Sequence, residues 1–248
     1  RFDRFLADAE VTRSAFESAT RELEDRLDDG VGPDDLVVLF LAGHGLVNGG
    51  PRRDYVFLCH DAAVDADSAG RPLVAAPGTI GWRDLAILAG VPCRKVAIID
   101  TCHAGALGPG VRGSVVREFQ EHQIVVLAAA ADDEPSLEDE AWGHGAFTKS
   151  LLEAIDGRAD GYGAAAADGS TAADGVVALD EIVGYVVTRT PELTRERGGA
   201  QHPTVSPAAL VPYVGLPLAR ADGVVSAVRV SGSGEPTAGG RPAPAPPR

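Results

Sequence analysis

Three short apolar runs constrain the fold more than anything else in this chain: "DLVVLFLAG" at residues 35–43, "KVAIID" at 95–100 and "QIVVLAAA" at 123–130. Each is continuous rather than alternating, and rich in Val, Ile and Leu. That pattern predicts strands covered on both faces, as in a parallel sheet. Helical periodicity fills the intervals. Residues 11–28, "VTRSAFESATRELEDRLD", set Phe16, Ala19, Leu23 and Leu27 on one face, and Gly30 with the "GPDD" that follows ends the helix. Residues 79–90 predict a second helix with Thr79 as N-cap and Gly90 as its stop. Residues 145–155 predict a third, with Phe147, Leu151 and Leu152 inward, and 179–190 a fourth. Residues 54–61 read as a further strand, and 62–79 and 157–177 as loops. Strands alternating with helices define a doubly wound α/β domain.

The 248 residues and 45% apolar content suffice for one sizeable core. No apolar run approaches the ~20 residues of a membrane-spanning helix, so a membrane is not expected as partner. A net charge of −14 leaves no basic stripe for phosphates and argues against nucleic acid. Three cysteines, Cys59, Cys93 and Cys102, are too few and odd in number for a disulfide framework, which points to a reducing, cytoplasmic setting. Residues 1–217 form the expected domain and 218–230 its final strand or exit. Residues 231–248, "SGSGEPTAGGRPAPAPPR", read as a linker toward a further domain.

Ligands of parallel sheets bind beyond the carboxyl ends of the strands. Two of the three strongest runs deliver reactive residues there: "VVLFLAGHG" ends at His44 between two glycines, and "VAIIDTCHAG" delivers Cys102. Neighbouring strands lie ~4.8 Å apart, so residues just past their ends can meet. A thiol needs a base or a cation nearby to become a thiolate at neutral pH, and His44 can supply it. His103 is badly placed, because consecutive residues leaving a strand point in opposite directions. The flanking glycines admit a substrate backbone and leave the Gly45 amide free to act with the Cys102 amide as an oxyanion hole. The competing reading of Cys102 is a buried core thiol, the common fate of free cysteines. Cys59 and Cys93 read as core or strand-edge residues, and Trp82 and Trp142 as packing.

The pair "AGHG" and "DTCHAG", 58 residues apart with the His first, resembles the caspase-type cysteine peptidases; caspases place their His about 50 residues ahead of the Cys. The bacterial metacaspase-like or orthocaspase branch is the closer likeness, since its motif reads Asp-x-Cys-His-x-Gly. The similarity continues through 128–155 and 177–204 and covers most of residues 5–215. The resemblance implies a three-layer sandwich around a mostly parallel sheet. It implies His44 as general base, Cys102 as nucleophile, and peptide cleavage through an acyl-enzyme. Cleavage after Arg or Lys is implied as well, with Asp100, two residues before the nucleophile, lining an acidic P1 pocket. Asp132 is a second pocket acid by the same likeness and Ser136 a wall. A guanidinium in such a pocket needs a planar acceptor that matches its charge.

Two departures stand out. The family's first strand and its polar followers are expected ahead of Arg1, and Ala42 stands where eukaryotic relatives usually carry serine. A basic P1 also makes Arg112 and Arg117, in "GPGVRGSVVREF", candidate sites of self-cleavage. Rival chemistries fit less well. A phosphatase loop needs Arg where Gly108 stands, and no C-x-x-C or H-x-x-x-H spacing supports zinc among Cys102, His103, His44, Cys59 and His60. The acidic stretch "DGYGAAAADGSTAADG" lacks the alternating Asp/Asn of an EF-hand. No cofactor is required, and activation by calcium, as in some metacaspases, is left open. The expected partner is a protein or peptide with a basic P1 residue. The alternative is a non-catalytic or conditionally active effector domain of a larger signalling protein.

Overall fold

The computed structural model describes residues 4–27, 30–48, 55–101, 123–131, 134–163, 173–205 and 211–221. The central sheet contains β1 (Leu36–Gly43), β7 (Arg94–Thr101) and β8 (Ile124–Ala128), all parallel, with the short antiparallel β12 (Thr204–Val205) beyond β8. One face packs on α3 (Ala146–Glu153) and α4 (Leu179–Arg195). The other packs on α1 (Arg13–Leu27), the short α2 (Trp82–Leu85) with its 3-10 extension Ala86–Gly90, and a small antiparallel sheet. That sheet is β2 (Gly45–Val47), β3 (Tyr55–Leu58) and β6 (Thr79–Gly81), in the order β2-β3-β6. The result is the expected three-layer, caspase-like α/β sandwich.

Strand alternation divides the core in two. Val96 and Ile98 of β7 join Val125 and Leu127 of β8 beneath Phe147, Leu151, Ile182 and Val186 of the helices. Ala97 and Ile99 point the other way, with Ile124 and Ala128, toward Tyr55, Phe57, Ile80 and Leu85. Phe16 and Leu23 of α1 close that second cluster, as their spacing predicts. Arg13 anchors the same helix, donating to the Thr79 carbonyl at 2.6 Å and pairing with Asp84 at 2.5 Å. Cys59 and Cys93 are buried, as expected of core thiols.

Several sequence expectations are corrected. Strand β1 is not covered on both faces: among the described residues it pairs with β7 alone, and Val38 and Phe40 are 49% and 46% exposed. The helical layer packs over β7 and β8, so an apolar run can also be an edge strand. Thr79 is no N-cap but a buried strand residue of β6; the helix starts only at Trp82, after Asp84 accepts the Gly81 N–H at 2.7 Å. The expected loop at 62–79 holds a hairpin of β4 (Val64–Ala66) and β5 (Pro72–Val74), stabilised by Asp67 and Arg71 rather than by apolar alternation. Within the expected loop at 157–177, β11 begins at Val176; it spans Val176–Ala178 and pairs with β13 (Pro217–Arg220). Leu152 faces solvent at 44% exposure, displaced from the inward face by Leu151 and Phe147. Helix α4 continues through Pro191 to Arg195, one turn beyond the expected end. Its start is fixed by Glu181, which accepts the Ala178 N–H and the Gly161 N–H, each at 2.8 Å.

Candidate active site

Strands β1 and β7 reach the carboxyl edge of the sheet in step. The parallel register pairs Ala42 with Asp100 and Gly43 with Thr101. His44 is therefore the first residue past the last pair on one strand, and Cys102 is the first on the other. His44 is described and exposed. Cys102, Asp132, Arg112 and Arg117 lie outside the described residues.

Two glycines make the turn at His44. Gly43 has φ +149°, a region that side chains avoid, and an added Cβ would come within 3.3 Å of the Phe57 ring. Gly45 sits against the buried Tyr55–Thr101 pair. A Cβ there would lie 2.5 Å from the Tyr55 hydroxyl and 2.8 Å from Thr101 Oγ1. Tyr55 and Thr101 are hydrogen-bonded to each other, so β3 is tied to the last residue of β7 directly under the His44 turn. The Leu58 N–H donates to the His44 carbonyl at 2.9 Å, and Gly45 faces Phe57 in the next register position. In an antiparallel ladder that is a non-hydrogen-bonded position, so the Gly45 N–H turns away from β3.

Asp100 points to the opposite face from Thr101, toward α3. Its Oδ2 accepts the Thr148 hydroxyl of α3, and its Oδ1 accepts the Ser136 hydroxyl at 3.2 Å. Burial pushes the Asp100 carboxyl above the ordinary carboxylate range, the two hydroxyls pull it part of the way back, and the negative charge of Glu138 adds to the rise. Asp100 and Ser136, expected in one pocket, thus meet.

Residues that the sequence did not single out surround Ser136. Gln201, fully buried, donates to the Ala129 carbonyl at 2.8 Å and to Ser136 Oγ at 3.1 Å, and accepts the Leu137 N–H at 2.9 Å. Glu134 clamps His202 through its backbone N–H and its Nδ1, each at 2.6 Å. Farther out, Arg197 pairs with Asp139 at 3.1 Å and lies over the Trp142 ring at 5.6 Å. The segment after α4 is therefore fastened to the loop after β8 at three places. The polar letters of "GGAQHPT" gave no periodicity from which this could be read. Among the described residues no group of three or more His, Cys, Asp or Glu side chains is arranged to hold a metal ion. Among them, too, no helix is long and apolar enough to cross a membrane.

A mostly parallel sheet between helical layers, with a histidine and the approach to a cysteine at the ends of adjacent strands, is a three-layer α/β domain whose candidate site lies at the carboxyl edge. A family model for the caspase domain, peptidase family C14, matches residues 2–211, and the chain belongs to that family of cysteine peptidases. No curated protein matches the chain.

Proposed function

We propose that this chain is a cysteine endopeptidase that cleaves after arginine or lysine. The observation that carries the reading is the register of β1 on β7, which ends both strands at one level, at Gly43 and Thr101, the residues that precede His44 and Cys102 in the sequence. In the reaction His44 takes the thiol proton of Cys102, and the thiolate sulfur bonds to the scissile carbonyl carbon. The negative oxygen that forms is met by the N–H groups of Gly45 and Cys102. The intermediate collapses to a thioester as the C–N bond breaks, and His44 returns the proton to the departing amine. His44 then deprotonates a water that attacks the thioester, which releases the acid product and restores the thiol.

Specificity for a basic side chain is supported by Asp100, a carboxyl held by two hydroxyls and with no cationic partner among the described residues. A guanidinium entering there gains a charge-matched acceptor and offsets the cost of partly burying that carboxylate. Asp132 is a second acid for that pocket and Ser136 part of its wall, and Arg112 and Arg117 are candidate self-cleavage sites. The test is to incubate the protein with arginine-, lysine- and aspartate-ending peptide reporters, with and without calcium, alongside Cys102→Ala. Cleavage confined to basic reporters and lost in Cys102→Ala is expected. Absence of Cys102-dependent cleavage would leave the non-catalytic effector reading.

A further inference from the structure

We propose that Gln201 is a positioning residue for Asp100: through Ser136 it fixes which way hydroxyl protons point in the P1 pocket. The inference rests on the reading of Asp100 as the acceptor of a basic side chain.

The argument is one of donors and acceptors. A side-chain amide has one oxygen that accepts and one nitrogen with two protons to give. The Leu137 N–H can only donate, so it takes Gln201 Oε1; the Ala129 carbonyl can only accept, so it takes Gln201 Nε2. The main chain thereby decides the orientation of the amide, with no alternative that keeps both bonds. One Nε2 proton remains, and it is directed at Ser136 Oγ. Ser136, receiving a proton there, gives its own to Asp100 Oδ1. Thr148 serves Oδ2 from the other side. Each carboxylate oxygen thus holds one hydroxyl donor, and the plane of the carboxylate is set by α3 through Thr148 and by the stretch after β8 through Ser136, which Gln201 of the segment after α4 holds in turn. A fixed plane is what a two-pronged guanidinium requires and what a point-charged ammonium does not. Full burial of Gln201 keeps water from its own amide, while Ser136 and Asp100 are half-buried and stay within reach of a substrate.

The test measures KM and kcat for arginine- and lysine-ending reporters in Gln201→Ala, Ser136→Ala, the double variant, Thr148→Val and Asp100→Asn. Gln201→Ala and Ser136→Ala are each expected to raise KM for the arginine reporter about tenfold. Their kcat stays within about twofold of the parent, and the lysine reporter loses less. The double variant should be no worse than either single one, because both act along one path. Thr148→Val raises the arginine KM as well, and adds to Gln201→Ala because it serves the other oxygen. Equal losses for both reporters, or additive effects of Gln201→Ala and Ser136→Ala, would overturn the proposal. If Gln201→Ala does not fold, Ser136→Ala decides alone, and an unchanged arginine KM there overturns it. Asp100→Asn separates the two claims. Normal arginine turnover in that variant removes the pocket reading itself, whereas a loss there with no effect at Gln201 and Ser136 leaves the pocket standing without its positioning residue.

Discussion

Strand β7 has a cysteine at each end: Cys93 just before Arg94, where it begins, and Cys102 just after Thr101, where it stops. At the amino end, Cys93 is buried and its thiol donates to the Arg94 carbonyl at 3.3 Å. Lys95 beside it is buried as well, and its ammonium donates to the Val91 carbonyl at 3.1 Å. Burial pushes the Cys93 thiol up and the Lys95 ammonium down, so both are biased toward their neutral forms. A cavity of about 390 Å³ opens there, lined in part by Cys93, Lys95, Gln123 and Tyr213. At its wall Tyr213 accepts the Lys95 N–H at 2.9 Å and donates to the Gln123 carbonyl.

At the carboxyl end the same strand meets side chains from far along the sequence: Tyr55, Ser136, Thr148 and, through Ser136, Gln201. Having a thiol and a charge is therefore common to both ends. What differs is convergence. Parallel strands all release their loops at one edge, and only there can groups from separate segments be set against one another.

Single substitutions should show the contrast most strongly. Cys102→Ala is expected to abolish reporter hydrolysis, and His44→Ala to lower it by about 10²–10⁴-fold, the usual share of a general base. Cys93→Ala should leave the rate unchanged. A loss at Cys93 equal to that at Cys102 would break the comparison.

Next in size is Asp100→Asn, which should lower kcat/KM for an arginine reporter by about 10²-fold, as removal of one partner of a desolvated charge pair does. The same variant reads stability. Because the Asp100 carboxyl is raised in the folded state, its contribution to stability is fully present below the unfolded carboxylate value and lost as pH rises through the folded one. Thermal melts across that window should show the parent losing stability with rising pH relative to Asp100→Asn. A parent that instead gains on the variant would mean that a cation already occupies the pocket.

Smaller effects come from the glycines. Gly45→Ala forces a Cβ into the Tyr55 and Thr101 hydroxyls and should cost about 1–3 kcal/mol in chemical denaturation. Gly90→Ala, near the other end of β7, meets open space and should cost nothing measurable.

Much of this architecture was legible in the letters. Continuous Val, Ile and Leu runs identify β7 and β8 because those strands are covered on both faces. The same rule misplaced β1, since a run does not tell whether a helical layer reaches its strand. The hairpin of β4 and β5 escaped because turn chemistry at Asp67, not apolar alternation, holds it. At the candidate site, strand-end position and family likeness single out His44 and Asp100. Thr148 and Gln201 could not be named, because a threonine on a helix or a glutamine in a loop acquires its partners only when distant elements pack against it.

The central claim is that a single cysteine, at one end of β7, reacts with substrates carrying a basic side chain. An arginyl acyloxymethyl ketone, followed by peptide mapping, tests it most directly. Burial pushes the Cys59 thiol up to about 11, and that of Cys93 is raised as well, so neither should react in the native state near neutral pH. The account predicts one adduct, on Cys102, greatly reduced in His44→Ala and Asp100→Asn. An adduct on Cys93 or Cys59, or labelling of Cys102 indifferent to both substitutions, would contradict it.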